Sequence, residues 1–154
     1  MIDFDIIYED EELRKDADED LVRKAASWVG EKILAEGCFS LSFVTEETMR
    51  SENAAYRGID SVTDILTFAL TDGEDFPPVS MDGDEKEWGD ILICTARMKE
   101  NAAQFASSDR EELLRLIIHG ILHLSGADHE TNDFQKEPML IRQEALLKEL
   151  ESVL

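Results

Sequence analysis

Cysteine and histidine are scarce in this 154-residue chain, with two of the first and three of the second, and bases are outnumbered: 15 Lys and Arg face 36 Asp and Glu, a formal charge of −21. Each shortage excludes something. Cys38 and Cys94 stand apart in apolar runs with no paired spacing, so the pattern reads as reduced, buried thiols rather than a disulfide framework. The lack of positive charge argues against indiscriminate grip on nucleic acid or an anionic membrane, because such grip comes from Lys and Arg displacing phosphate counterions. A polyanionic partner must therefore find a local basic patch. No apolar run approaches the ~20 residues of a membrane span. The opening Met1-Ile2-Asp3-Phe4-Asp5 carries neither the basic nor the apolar stretch of a signal peptide, and a cytoplasmic location is expected.

What the chain does have is enough apolar content, 43%, for a core. A chain of this length is expected to form one domain, residues 1–154, burying about 68–70% of its unfolded surface without staples. Four short segments read as strands: FDIIY at 4–8, CFSLSFVT at 38–45, ILTFAL at 65–70 and ILICT at 91–95. In the second, Phe39, Leu41 and Phe43 alternate with Ser40 and Ser42, the mark of a half-buried strand. Apolar residues at helical spacing predict helices over 21–36, 46–56, 96–106, 109–124 and from Pro138 to about 150. Asp20, Thr45 and Asp109 read as N-caps, the last with Glu112 in a capping-box pattern, and Gly37 as a helix stop. The acid-rich stretch 9–20 reads as a solvated lead-in, and 71–87, with Pro77-Pro78 inside it, as a long mobile surface loop. The helix over 109–124 is apolar around most of its circumference, from Leu113 to Leu124, which places it in the core. Together these give an α+β fold: a mixed, roughly four-stranded sheet packed with about five helices.

All three histidines fall within eleven residues, His119-Gly-Ile-Leu-His123-Leu-Ser-Gly126-Ala-Asp128-His129. Positions i and i+4 share one helix face, so the first two imidazoles are neighbours and can share a metal ion through nitrogens at ~2.0–2.1 Å. Gly126 adopts positive φ without strain and can end the helix, turning His129 back towards the same ion. Three imidazoles with a fourth position open make a catalytic set; structural zinc is usually closed by four protein ligands. Imidazole alone does not distinguish zinc from copper, nickel or iron.

The spacing matches that of the metzincin proteases, whose pattern carries Glu directly after the first histidine. Here that position is Gly120. The general base of peptide hydrolysis is absent, and general-base catalysis supplies ~10²–10⁴-fold, so a peptidase is disfavoured.

The stretch His119–His129 instead resembles the signature of the bacterial YbeY family of ribosomal-RNA maturation endoribonucleases. Asn53-Ala-Ala-Tyr56-Arg57-Gly58 followed by Thr63-Asp64-Ile65-Leu66-Thr67-Phe68, the Gly89-Asp90-Ile91 strand entry, and Met139 with Glu144 are similar to further stretches of that family. The resemblance covers about residues 40–150. The chain departs from the family's pattern at Glu52, Val62, Ala69, Ser125 and Ala127, while the three histidines and Arg57 are intact. The resemblance implies a zinc-dependent endoribonuclease that prefers single strands, acts in small-subunit rRNA 3′-end maturation and ribosome quality control, and has a zincin-like metal helix. It implies one Zn²⁺ on His119, His123 and His129, with Arg57 and His119 as catalytic residues.

The residues themselves are compatible with that reading. Arg57 suits a phosphate clamp, because guanidinium matches phosphate oxygens in a fork. Pairing with one of the many acids is its bland alternative. Asp128 is either an orienting partner of a ligand or a helix-end cap, while Thr63, Asp64 and Asp90 read as turn and strand-entry residues. Arg57, Arg97, Lys99, Arg110 and Arg115 are expected near the metal, a local basic patch for RNA in an otherwise acidic chain. A ribosome or ribosomal protein is the expected partner, with no membrane involved. Two other readings stay open: a metal-dependent hydrolase of a peptide or small phosphoester, and a non-catalytic ribosome-assembly factor with a structural metal.

Overall fold

A computed structural model of the chain describes residues 1–70 and 86–154. Its secondary structure runs β1 (Ile2–Tyr8), a 3₁₀ turn (Glu11–Lys15), α1 (Glu19–Ile33), β2 (Gly37–Val44), α2 (Glu46–Arg57), β3 (Ile65–Ala69), β4 (Glu87–Cys94), α3 (Thr95–Gln104), α4 (Asp109–Leu124) and α5 (Pro138–Val153). The four strands form one sheet in the order β1-β2-β4-β3. β1, β2 and β4 are parallel, and β3 closes the edge antiparallel to β4. This is the mixed sheet and α+β class expected from the pattern.

Alternation decides which side of the sheet is buried. Phe39, Leu41 and Phe43 of β2 join Ile91 and Ile93 of β4 in the main core, covered by α1, α4 and α5 and by Met98 of α3. Ser40 and Ser42 fall on the other face, where Met49 of α2 packs with Val44, Leu66 and Cys94 in a smaller cluster. Asp3, Asp5 and Asp90 share that second face by strand parity, and Ser40 Oγ donates to Asp90 Oδ1 at 2.5 Å across it. Several of the acids thus project on the side of the sheet opposite α4.

Helix α4 comes unusually close to the sheet. A Cβ built on Gly120 would stand 2.8 Å from Ile91 Cγ2 and 2.9 Å from Cδ1. Ile91 is fully buried, so making room for that carbon means shifting a packed core side chain. Glycine at 120 is therefore the residue that lets the helix seat against β4.

Several boundaries differ from the sequence reading. β1 begins at Ile2 because Ile2, Phe4, Ile6 and Tyr8 all face the main core, with acids between them that dilute the apolar signal. α1 is capped by Asp18, whose side chain accepts from Leu21 N, while Asp20 lies within the first turn. α4 is capped by Ser108, accepting from Glu111 N. Glu112 is buried rather than folded back on the cap. Gly37 opens β2 instead of stopping α1. It takes φ +107° where an added Cβ would meet Lys86 O at 2.5 Å, and Ala35 makes the helix-end turn at φ 69°. The acid-rich lead-in contains the 3₁₀ turn Glu11–Lys15, capped by Asp10. Of the surface loop expected over 71–87, residues 71–85 lie outside the described residues, and Glu87 already belongs to β4.

Candidate metal centre

The C-terminal half of α4 places His119 and His123 one turn apart, and the turn that follows brings His129 back to them. That turn is built by the backbone: Ala127 N donates to Leu122 O at 3.1 Å, Gly126 N to His123 O at 3.0 Å, and Gly126 sits at φ +105°. The pattern is a Schellman-type ending with glycine at the left-handed position. Glu137, just before α5, then holds the returning loop by accepting from Glu130 N and Thr131 N at 3.2 and 3.4 Å. The three rings end with centroids 4.6, 5.3 and 5.5 Å apart. One ligating atom from each lies within 4.8 Å of the others.

The hydrogen bonds on the far side of two rings fix which nitrogen faces inward. His129 Nδ1 donates to Thr131 O at 2.7 Å, leaving Nε2 free. His119 Nδ1 donates to Gln143 Oε1 at 2.6 Å, leaving its Nε2 3.1 Å from Nε2 of His123. Two nitrogens that each bind a tetrahedral ion at 2.0–2.1 Å are separated by about 3.3 Å. Two bare lone pairs at that range repel, so the arrangement calls for a proton or a cation between them. The donor set and its spacing fit a metal ion.

Electrostatics point the same way. Burial holds the pKa of His119 down at about 4, the neighbouring imidazoles adding to the fall and Gln143 opposing it. His123 is lowered too, by burial first and by His129 second, with Asp128 opposing and the charge of Arg57 adding to the effect. Both rings are therefore neutral near pH 7, which is the form that ligates metals.

The other expected residues distribute unevenly. Asp128 is exposed. It accepts from the His129 backbone N–H at 2.8 Å, within the turn, and stands 4.0 Å from His123 Nδ1, beyond hydrogen-bond distance. Arg57 ends α2, next to Gly58 at φ +70°. It is exposed, forms no ion pair among the described residues, and lies close enough for its charge to act on His123. Asp64 anchors the start of β3, accepting from Asn101 Nδ2 at 3.0 Å and from Cys94 N through its carbonyl at 2.9 Å. Asp90 sits on the opposite face of the sheet, bound to Ser40.

Three of the five cations expected to form the basic patch are engaged in ion pairs. Arg97 is paired with Glu100, Lys99 with Asp16, and Arg115 with Glu112 and Glu144. In so acidic a chain, carboxylates outcompete any gathering of free cations. Arg57, and Arg110 at the start of α4, are left without ion pairs among the described residues.

Gln143 escaped the sequence reading altogether. It is 1% exposed and falls within the apolar stripe Met139, Leu146, Leu147 and Leu150 of α5. A polar residue inside an apolar stripe was the available signal. Among the described residues no helix is long and apolar enough to cross a membrane.

Comparison with known proteins agrees with the geometry. The family model described as Endoribonuclease YbeY matches residues 4–151. The chain is 43% identical to an Endoribonuclease YbeY of Halalkalibacterium halodurans over 118 residues, 74% of each chain. It is 34% identical to that of Clostridioides difficile over 151 residues, covering 95% of this chain and 96% of the relative. The solution structure of TM1509 from Thermotoga maritima superposes with a TM-score of 0.60 at 28% identity, over 96% of this chain and 88% of that one. A match spanning nearly the whole sequence, over a fold that carries the three histidines to one point, means that the chain belongs to the YbeY endoribonuclease family.

Proposed function

We propose that residues 1–154 act as one metal-dependent hydrolase domain, a zinc endoribonuclease that cuts single-stranded RNA in the cytoplasm. Its role is in ribosomal-RNA processing, at the small-subunit 3′ end, and in ribosome quality control. The observation that carries this reading is the convergence of His119, His123 and His129 Nε2-side donors, within 4.8 Å, in a chain of this family. Zinc held there would supply Lewis acidity towards a phosphoryl oxygen and a water of lowered pKa.

The protein's own residues divide the remaining work. His119 and His123 stay neutral through burial, and the bond from His119 Nδ1 to Gln143 keeps the Nε2 lone pair of His119 directed inward. Arg57, exposed and without a carboxylate partner among the described residues, clamps a phosphate of the RNA backbone; its planar fork gives two parallel charge-assisted bonds. A peptide substrate is disfavoured because Gly120 carries no carboxylate to serve as general base.

The net charge of −21 makes binding to naked RNA weak and salt-sensitive, so a ribosome or ribosomal protein supplies specificity by recruitment. The test is cleavage of end-labelled single-stranded RNA by zinc-loaded protein, with His123→Ala purified in parallel. Cleavage by the wild type and none by a folded mutant supports the proposal. Equal cleavage by both, or none by either with a ribosomal partner added, overturns it.

A further inference from the structure

Behind His119 runs a chain of partly buried hydrogen bonds that links α4 to α5. Gln143 Nε2 donates to Glu144 Oε2 at 3.1 Å. Arg115 donates to both oxygens of Glu144, Nε to Oε2 at 2.9 Å and one terminal nitrogen to Oε1 at 3.0 Å. Its other terminal nitrogen donates to Glu112 Oε1 at 2.5 Å. Side-chain exposures are 17% for Arg115, 10% for Glu112 and 30% for Glu144. Burial works against both charges of the Arg115–Glu144 pair. Their mutual hydrogen bonds outweigh it, holding the guanidinium protonated and the carboxylate ionised.

The chemistry of each donor and acceptor makes this chain directional. An ionised carboxylate only accepts, so Glu144 takes the amide N–H of Gln143 and forces the amide oxygen to the other side. That oxygen faces His119 and, being an acceptor, requires a proton on Nδ1. Nε2 is then left bare, facing His123. Arg115 precedes His119 by one helical turn, so the clamp and the ring it governs share one face of α4.

We infer that Gln143 is a positioning residue, set by Glu144 and Arg115, that locks His119 in the Nδ1–H tautomer and so presents Nε2 for metal binding. The inference rests on the metal reading above but concerns different residues. An amide performs this task without placing a second negative charge beside Glu144, and its 1% exposure leaves it no water with which to exchange partners. A leucine at 143 fills the same space and removes both bonds. A glutamate keeps an acceptor for Nδ1–H in either charge state, and in its protonated form, the one favoured by burial beside the ionised Glu144, it also donates to Glu144.

The experiment uses the full chain, ¹⁵N-labelled and metal-free, as wild type, Gln143→Leu, Gln143→Glu and Glu144→Gln. Long-range proton–nitrogen NMR correlations read the His119 tautomer directly, and competition with a chromogenic chelator reads zinc affinity. Wild type and Gln143→Glu are expected to show His119 protonated at Nδ1. Gln143→Leu is expected to lose that tautomer and bind zinc about 10–100-fold more weakly, the range typical when a hydrogen-bond partner of a metal-binding histidine is removed. Glu144→Gln, which frees the amide to turn, is expected to fall between them and carries the test should the leucine variant not fold. An unchanged tautomer with unchanged affinity in Gln143→Leu, or in Glu144→Gln if the leucine variant is unfolded, overturns the inference. So does Gln143→Glu failing as badly as leucine. A wild type that binds no zinc overturns the metal reading instead, while the tautomer arm still decides whether Gln143 sets His119.

Discussion

Helices α2 and α4 both end at a glycine of positive φ, Gly58 at +70° and Gly126 at +105°, and both carry a candidate functional side chain in the final turn. The surroundings of those side chains are opposite. At the end of α4 the imidazoles are half-buried, burial keeps His119 and His123 neutral, and His119 and His129 are each hydrogen-bonded on the face away from the site. At the end of α2 the helix itself is pinned: Asn53 Nδ2 donates to Ser61 O at 2.9 Å, and Arg50 forks onto Asp60 at 2.7 and 3.1 Å. Arg57 is nonetheless left exposed and unpaired among the described residues. A metal ion needs donors placed to a few tenths of an ångström, and that calls for buried partners. A phosphate on a flexible strand can be met by an exposed cation on a fixed stem. On the proposed function, the protein prepares the geometry for the small ligand and leaves it adjustable for the large one.

Separating the two ends is the sharpest way to test this contrast. Arg57→Ala is expected to lower kcat/KM on single-stranded RNA by about 100-fold, the usual scale for removing one charge-stabilising donor, with zinc affinity unchanged by chelator competition. A fall in zinc affinity would show that the two ends are one unit. Gly120→Ala attacks the rigid end from below. Overpacking against Ile91 is expected to destabilise by up to about 3 kcal/mol, measured by urea unfolding, and to weaken zinc binding because α4 must lift. Wild-type stability would mean that Ile91 yields without strain.

Acid attacks the rigid end through its charge state. The folded pKa of His119, about 4, lies below the ordinary 6.5, so the unfolded chain binds more protons between those values, and stability is lost as pH falls through that window. Between pH 7 and 5 the metal-free wild type is expected to lose on the order of 2 kcal/mol relative to His119→Asn, a difference in which the acidic background cancels. A difference that stays constant or grows would reverse the assignment. The smallest effect belongs to the flexible end. Gly58 has open space around its Cα, so Gly58→Ala should cost only about 1 kcal/mol of left-handed strain, with RNA cleavage reduced less than in Arg57→Ala. A loss of activity equal to that of Arg57→Ala would mean that the stem, rather than the guanidinium, is what matters.

Much of the site was legible because its spacing is helical. His119 and His123 at i and i+4, and a glycine three residues on, are local facts that a sequence displays. The alternation of Phe39, Leu41 and Phe43 with serines was equally plain. Less legible was whatever depends on choosing between adjacent equivalents. Asp18 or Asp20, Ser108 or Asp109, are each chemically competent caps, and only packing selects among them. Gln143 was hidden because its partner lies 24 residues away on another helix, and the fate of the cations because ion pairing depends on which acid ends up within reach. Lys99 finds Asp16 across 83 residues of chain.

Gly120 bears on which chemistries this scaffold can reach. The position directly after the first histidine is where a related metal motif keeps its proton-accepting carboxylate, yet here it is the point where the helix rests on β4, so close that an added carbon would stand only 2.8 Å from Ile91. Gaining that carboxylate sets a new Cβ against Ile91, and the core must shift to take it. Access to the neighbouring chemistry is thus conditioned by packing in the core of the protein and is invisible from the mouth of the site.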